Sequence, residues 1–228
     1  MNKKYVIIFT ILFLLIIIKV DSYSQDKFYT TTGLEMIFSW ADIEQDGMKE
    51  PSILRWAPVF NLQTFFNYDF NNTFGLFSGI GVRNVGFIYD ESEAVRKKFR
   101  TYNLAIPIGV KIGKLDNAFF YGGYELEIPF NYKEKTFINE QKSKFSVWFS
   151  DRVPNIYNSV LVGVQLPKGL NLKFKYYITE FFNTSYKEID PDTGDIIEPY
   201  ADLHANVFFI SLSINLLKDA KVYYLEID

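Results

Sequence analysis

Apolar and small or polar residues alternate strictly along several stretches of the chain. Between residues 102 and 113 every even position is bulky, with Tyr102, Leu104, Ile106, Ile108, Val110 and Ile112. The odd positions hold Asn103, Ala105, Pro107, Gly109, Lys111 and Gly113. Successive side chains of an extended strand point to opposite faces, so this period of two predicts a strand with one apolar face. A strand between lipid and a narrow polar interior has this pattern.

Eight segments carry the alternation, at residues 28–40, 55–68, 74–89, 99–114, 118–132, 156–166, 170–182 and 204–216. Short connections rich in turn-forming residues, at 69–73, 115–117 and 167–169, alternate with long ones at 41–54, 90–98, 133–155 and 183–203. Outer-membrane barrels combine short periplasmic turns, longer outer loops and an even strand number. The chain is therefore predicted to be all-β, an eight-stranded antiparallel up-and-down transmembrane β-barrel.

The odd-numbered face of these segments carries charged residues among glycines. They are Glu35, Arg55, Arg83, Lys111, Glu125, Glu127, Lys173 and Lys175. Isolated charges are costly in a dry interior, but acids and bases can neutralise one another in pairs. An eight-stranded barrel is just wide enough inside for side chains to fill it. We therefore predict that these residues form a lumen charge network that plugs the barrel and leaves no open pore.

A secreted lipocalin-like barrel, which binds a ligand inside, is the rival architecture. Its apolar face would point inward and its charged face outward. Glycines would then lie on an outer surface where β-branched and charged residues are preferred. The apolar face would also supply more bulk than such a lumen can hold. The pattern therefore favours the membrane barrel.

The N-terminal residues are typical of a secretory signal. Lys3 and Lys4 precede an apolar run over 5–18, and Ser22 and Ser24 fit a cleavage site. We predict a signal peptide at 1–24, a barrel at 25–217 and a periplasmic tail at 218–228. An uncleaved anchor is the alternative, although the run is short for a spanning helix of about 20 residues. Cleavage and export would place the barrel in the outer membrane of a Gram-negative cell envelope.

Composition excludes several kinds of site. The chain has no cysteine and one histidine, so a disulfide, a thiol nucleophile, a lipid-modified cysteine and a paired-histidine site are excluded. The net charge of −3 offers no basic excess for nucleic acid. Aromatic residues make up 18% of the chain, and belts at two membrane interfaces would account for much of this content.

Neither His204 nor the acidic segment 183–203 matches a known site pattern. No serine is fixed near His204 and Asp202 by a recognisable motif, so we expect a rim histidine rather than a catalytic base. Around Asp190 the sequence has a superficial likeness to a calcium loop, but Gly194 falls before the third aspartate and the required later glutamate is missing. We expect a hairpin tip there, with a divalent cation site as the alternative. We expect no catalytic, cofactor or metal-ligating residues elsewhere.

Three stretches resemble the small outer-membrane β-barrel proteins of the Bacteroidetes, a family that includes PorT-like proteins, and more broadly the OmpA and OmpX barrels. They are Phe70-Asn71-Asn72-Thr73-Phe74-Gly75-Leu76 leading into Gly79-Ile80-Gly81, then Leu104-Ala105-Ile106-Pro107-Ile108-Gly109-Val110-Lys111, and Phe120-Tyr121-Gly122-Gly123-Tyr124. The resemblance spans most of the mature chain and implies an outer-membrane location. For some members it implies association with secretion machinery, and it supplies no catalytic residues. Such barrels often end on an aromatic residue, whereas this chain ends in Asp228.

An apolar cluster interrupts the third long connection, at Phe145, Val147, Trp148 and Phe149. Packing on the barrel mouth or in the lipid interface would explain it, and it is also our candidate partner surface. The predicted function is that of a monomeric outer-membrane barrel with a structural or interaction role. Its partners would be the lipid bilayer and a protein bound through the outer loops. A small porin-like channel and an accessory component of a secretion system are the alternatives.

Overall fold

The computed structural model describes residues 28–139, 141–190 and 193–218. Within them the strands are β1 (Phe28–Gln45), β2 (Met48–Glu50), β3 (Ser52–Ile53), β4 (Arg55–Ala57), β5 (Leu62–Asp69), β6 (Phe74–Ser92), β7 (Val95–Lys114), β8 (Ala118–Ile138), β9 (Gln141–Trp148), β10 (Tyr157–Gln165), β11 (Leu170–Tyr177), β12 (Glu188–Ile189), β13 (Ile196–Ile197) and β14 (Leu203–Lys218). The predicted signal peptide and the tail beyond Lys218 lie outside the described residues. No helix in the described part is long and apolar enough to cross a membrane.

The strands close into a ring. Each wall strand is antiparallel to its neighbours in the order β1, β5, β6, β7, β8, β10, β11 and β14, with the short β4 continuing the β5 position along β1. Two pairings close the circle: β14 lies beside β1, with Ile210 opposite Phe38, and β10 lies beside β8, with Val160 opposite Tyr124. This confirms the predicted eight-stranded antiparallel up-and-down barrel.

Alternation along each wall strand decides which side chains face out. Ile108 on β7 is 63% exposed and Phe120 on β8 is 72% exposed, whereas Ala105 and Glu125, at odd-numbered positions of the same two strands, are fully buried. The apolar face therefore lies on the outside as a continuous belt, and the polar face lines the interior. This is the reverse of the lipocalin arrangement, because a lipocalin would bury the apolar face around a ligand.

The connections differ at the two ends of the barrel. We name the end with the short connections the turn end and the other the loop end. At the loop end β7 and β8 extend beyond the predicted segments, and β9 pairs with β8 inside the connection predicted as a loop at 133–155. That prediction was wrong because the backbone ladder continues into this segment. The predicted strand at 170–182 also ends early, because the chain leaves the wall after Tyr177.

The barrel interior at the loop end is filled by an aromatic cluster, here named the aromatic plug. Its members are Phe87, Tyr89, Phe99, Tyr132, Tyr157, Tyr177, Phe181, Phe182, Tyr200 and Phe209. Wall strands supply most of these rings, but Phe181, Phe182 and Tyr200 come from the chain between β11 and β14 as it folds back over the opening. The interior therefore contains a hydrophobic core in addition to the predicted charges.

Candidate functional site

Six of the predicted lumen residues meet in the middle of the barrel interior, and Arg83 is the central one. Its Nη1 lies 2.9 Å from Oε2 of Glu35, and its Nε lies 3.2 Å from Oε1 of Glu125. Lys173 Nζ lies 2.7 Å from Oε1 of Glu35. Because these side chains project from β1, β6, β8 and β11, their contacts cross the lumen from one wall to the other.

Lys175 completes this central network by ion-pairing with both Glu125 and Glu127. The network then contains three acids, Glu35, Glu125 and Glu127, and three bases, Arg83, Lys173 and Lys175. Every member is at most 3% exposed. Equal numbers of opposite charges let the group be buried without a net charge, which is the condition under which buried ions are tolerated.

Neutral side chains occupy the remaining hydrogen-bonding positions of the network. Tyr177 donates its hydroxyl to Oε1 of Glu127 at 2.6 Å, and Asn103 Nδ2 donates to Oε2 of the same carboxylate at 2.6 Å. Arg83 Nη2 also donates to Oε1 of Gln63 at 3.1 Å. All three neutral residues have odd numbers, so the alternation could have located them, but charge alone did not single them out.

Arg55 and Lys111 lie apart from the central network. Arg55 donates from Nη1 to the backbone oxygen of Asn84 at 3.1 Å, and its guanidinium also contacts the side chain of Asn84. Lys111 ion-pairs near the turn end with Asp69 at 2.6 Å and donates to the hydroxyl of Tyr29 at 3.0 Å. The sequence pattern places Asp69 in a turn and therefore does not identify it as the partner of Lys111.

A small cavity lies inside the barrel at the turn end. A cavity of about 30 Å³ there is lined by Asn67, Lys111, Tyr121 and Asn171, among others, and a cavity of this size has room for about one or two water molecules. Beyond it lie the central network and then the aromatic plug. Within the described residues, side chains therefore fill the lumen at three successive levels.

The aromatic plug is held by ring contacts and backbone hydrogen bonds. Phe182 stacks on Tyr200 with ring centroids 4.5 Å apart and meets Phe99 edge-on at 4.9 Å. The backbone N–H of Phe181 donates to the oxygen of Ala205 at 2.7 Å, and its carbonyl accepts from the hydroxyl of Tyr157 at 2.7 Å. These contacts fix the returning chain inside the wall.

A pocket of about 510 Å³ opens above the aromatic plug at the loop end. Tyr89, Phe99 and Tyr200 form its floor, and burial raises the pKa of the Tyr200 hydroxyl to about 12. Its walls carry the acids Asp46, Glu91, Glu134, Glu188, Glu198 and Asp202. Lys97 pairs with Glu91 at 2.5 Å, and Arg152 pairs with Glu188. We name this space the mouth pocket; its walls are mostly acidic and its floor aromatic.

The four residues of the candidate partner surface do not share one face. Phe145 lines the mouth pocket beside Arg152, whose guanidinium lies 4.6 Å from the ring centroid, and Val147 packs against the aromatic plug. Trp148 points outward and stacks on Phe130 at 5.9 Å. Phe149 is 76% exposed in a left-handed backbone conformation with φ of 50°. Because β9 is a strand, alternation divides the cluster between two environments.

His204 lies exposed on the loop end, where its Nδ1 is 3.1 Å from Oε2 of Glu180. No hydroxyl group is among the partners recorded for this ring within the described residues. In the acidic segment a two-residue ladder joins Glu188–Ile189 to Ile196–Ile197. Among the residues that the structure describes, no group of three or more histidine, aspartate or glutamate side chains could hold a metal ion.

Comparison with known proteins finds neither a matching family model nor a matching curated protein. Among solved structures, Ail of Yersinia pestis, crystallised with the heparin analogue sucrose octasulfate, is similar at 13% identity and a TM-score of 0.39, over 85% of this chain and 99% of Ail. Neisserial surface protein A is similar at 11% identity and a TM-score of 0.39, over 85% and 98% of the two chains. The outer membrane protein OprG of Pseudomonas aeruginosa has 14% identity and a TM-score of 0.34, over 85% and 96%. The fold assignment rests on the strand pairing itself.

Proposed function

We propose that this chain is a non-enzymatic, integral outer-membrane barrel with a closed lumen, and that its role is structural or one of interaction through its loop end. The observation that carries the proposal is the belt of exposed apolar side chains around a polar, ion-paired interior. In water such a belt would be a very large apolar patch, whereas in a bilayer it contacts lipid. The ring closes within one chain, which supports a monomer.

Two rows of aromatic side chains border the apolar belt. At the turn end, Phe70 lies between Tyr68 and Phe74, with ring centroids 5.0 and 5.5 Å away. At the loop end, contacts of 5.8, 6.4 and 5.9 Å join the rings of Phe60, Tyr102, Phe130 and Trp148 in that order. Aromatic residues are enriched at both membrane interfaces because their rings suit the headgroup layer.

The height of the belt matches a bilayer. Phe74, in the aromatic row at the turn end, pairs with Ile112 of β7. Tyr102, in the row at the loop end, lies ten residues from Ile112 on the same strand. Ten residues of antiparallel strand span about 34 Å, and the tilt of about 40° that is usual in such barrels reduces this height to about 26 Å. The apolar band of outer-membrane barrels is about 25 Å tall.

The packed lumen supports a closed barrel rather than a channel. An ion that crossed it would have to separate the pairs around Arg83 and then displace Phe182 and Tyr200. The first step would weaken a buried, charge-balanced network, and the second would open a packed aromatic core. The loop end, by contrast, carries the ordered β9 extension and the mouth pocket, so an interaction role is best supported there. The sequence resemblance further suggests membership of the Bacteroidetes barrels.

Fluorescence quenching by lipid tests the membrane assignment. Trp56 is 59% exposed on the outward face, and replacing Trp40 and Trp148 with phenylalanine leaves it as the single tryptophan. We expect brominated acyl chains to quench its emission in vesicles, together with heat-modifiable migration on gels. A protein that stays soluble without detergent and shows no quenching would contradict the proposal. Planar-bilayer recordings test closure, because discrete conductance steps would show an open lumen.

A further inference from the structure

Six basic side chains share the outward face of β7, β8 and β9 at the loop end. These residues, here named the basic face, are Lys98, Arg100, Lys133, Lys135, Lys142 and Lys144. Their strand neighbours Phe99, Tyr132 and Val147 point inward and pack in or against the aromatic plug. Because side chains alternate along a strand, the basic residues belong to the face that points away from the barrel axis. Lys144, at the edge of this face, also contributes to the lining of the mouth pocket.

Strand register brings these cations close together. Lys98 lies opposite Lys135, which lies opposite Lys144, and Arg100 lies opposite Lys133 in the next outward row. Adjacent strands are about 4.8 Å apart, so a row across three strands is about 10 Å wide. Like charges directly opposite one another destabilise a sheet. A counterion would remove that repulsion.

The protein itself does not supply this counterion among the residues that the structure describes. None of the six basic residues is in an ion pair there. The nearby Asp90 pairs with Arg96 at 2.6 Å and Glu91 with Lys97 at 2.5 Å, whereas Glu134 lines the mouth pocket and accepts a hydrogen bond from Tyr132. Arg100 Nε is buried and has no hydrogen-bond partner in that part of the chain. The basic face therefore has unused capacity to bind anions.

The electrostatics of Lys135 reflect this crowding of like charges. Burial, followed by the positive charges of Arg100, Lys142, Lys98 and Lys144, lowers its pKa to about 8. Those four residues face it from β7 on one side and β9 on the other, and Lys133 lies on its own strand. Nearby anionic charge would favour the protonated form of the amine and raise this pKa.

Location identifies the class of anion. The basic face begins one row beyond the aromatic row of Tyr102, Phe130 and Trp148, on the same outward surface as the apolar belt. Lys133 Nζ lies 4.9 Å from the centroid of the Tyr102 ring, which links the two features directly. An anion bound there would lie at headgroup depth, with its apolar part against the belt.

We propose that the basic face binds the phosphate groups of anionic lipids in the leaflet at the loop end. The inference rests on the proposed function, since it requires the belt to be embedded in lipid. Basic side chains just outside a membrane attract anionic lipid in this way, and charge-assisted contacts to phosphate are strong. The barrel would thereby order a shell of phosphorylated lipid on one side of its wall.

Native mass spectrometry of the full protein in maltoside micelles tests the proposal. The probes are lipid A with two phosphates, the same lipid after dephosphorylation, and inorganic pyrophosphate. We expect K135Q/K144Q to retain the bisphosphorylated lipid about 25-fold less well than the parent, because each lysine contributes about fivefold. The matched control is K49Q/K187Q, which removes two exposed loop-end lysines that are paired with Asp42 and Glu198. We expect this control to bind like the parent.

The pH dependence gives an independent measurement. Lys135 in the free protein loses its charge as the pH rises through about 8, and a bound phosphate group raises this pKa, so retention of bisphosphorylated lipid by the parent should be constant below about pH 8 and fall above it. The fall should be smaller in K135Q. Equal retention by K135Q/K144Q and the control would overturn the proposal. Equal retention of the phosphorylated and dephosphorylated lipids, or full displacement by pyrophosphate, would overturn it too.

Insertion into neutral vesicles separates this inference from the proposed function. If the parent barrel inserts into phosphatidylcholine vesicles and migrates in a heat-modifiable way, then failure of the lipid-binding test overturns only the proposed lipid binding by the basic face. If it does not insert, the membrane assignment itself fails. The variants should insert as well as the parent, because all substituted lysines lie beyond the apolar belt.

Discussion

Replacing Arg83 with methionine should destabilise the folded barrel more than any other single change in the lumen. The substitution keeps much of the side-chain bulk but removes the contacts to Glu35 at 2.9 Å, Glu125 at 3.2 Å and Gln63 at 3.1 Å. The central network would then hold three acids and two bases. Removing one partner of a buried ion pair costs about 3–5 kcal/mol, because the other charge stays buried.

Arg55 provides a matched control for Arg83. It is also an interior arginine, only 2% exposed, but its recorded partners are the neutral groups of Asn84 and Ser39. R55M removes a charge without leaving a carboxylate unpaired, so we expect a loss of about 1–3 kcal/mol. The difference in stability loss between R83M and R55M therefore measures the cost of leaving acids unpaired, apart from the cost of removing a buried arginine.

A double-mutant cycle with E125Q measures the coupling directly. The variant R83M/E125Q has two acids and two bases in the central network and is neutral again. We expect its loss of stability to be smaller than the sum of the two single losses by about 1–3 kcal/mol. Urea unfolding of the barrel in lipid vesicles, followed by tryptophan fluorescence and gel migration, gives the free energies. Strictly additive losses, or equal losses in R83M and R55M, would refute a cooperative charge network.

Three further changes test the packing and the surroundings of the barrel. A Cβ atom at Gly109 would come within 2.5 Å of the Phe77 ring, so G109A should lower the free energy of unfolding in urea by about 1–3 kcal/mol. At Gly122 the nearest atom would be 3.5 Å away, so G122A should unfold like the parent. F182A should cost about 3–5 kcal/mol and speed proteolysis of segment 183–203; unchanged cleavage would argue against an anchoring role. I108R should cost about 2–4 kcal/mol in vesicles if the belt faces lipid, and I189R, at a site 70% exposed near the loop tip, should cost almost nothing.

Sequence alternation predicted the wall of the barrel because it reports directly on strand geometry. Each strand separates lipid-compatible from polar residues at a period of two, so strand number, order and facing all follow from local patterns. The odd-numbered positions also located the charges in the interior. The alternation could not show which acid meets which base, because Arg83 on β6 and Glu125 on β8 are brought together by the register of both strands with β7.

The loop end is where prediction from the sequence failed. Segment 178–182 still alternates like a strand, yet Phe181 and Phe182 turn inward to fill the opening, and β9 extends the wall through a segment predicted as a loop. Both outcomes depend on which partners are available after the barrel has closed. The division of Phe145 and Val147 from Trp148 follows from the same extension of the wall.

By itself, the sequence determined the strands, their facing and the polar character of the interior, because these depend on side-chain alternation within one segment. Only the tertiary structure decided the neutral pairing of the lumen, the aromatic plug and the basic face. The basic residues at 98, 100, 133, 135, 142 and 144 are scattered in a chain with a net charge of −3. They become one surface because strand register places Lys98, Lys135 and Lys144 side by side, and register depends on contacts between distant segments.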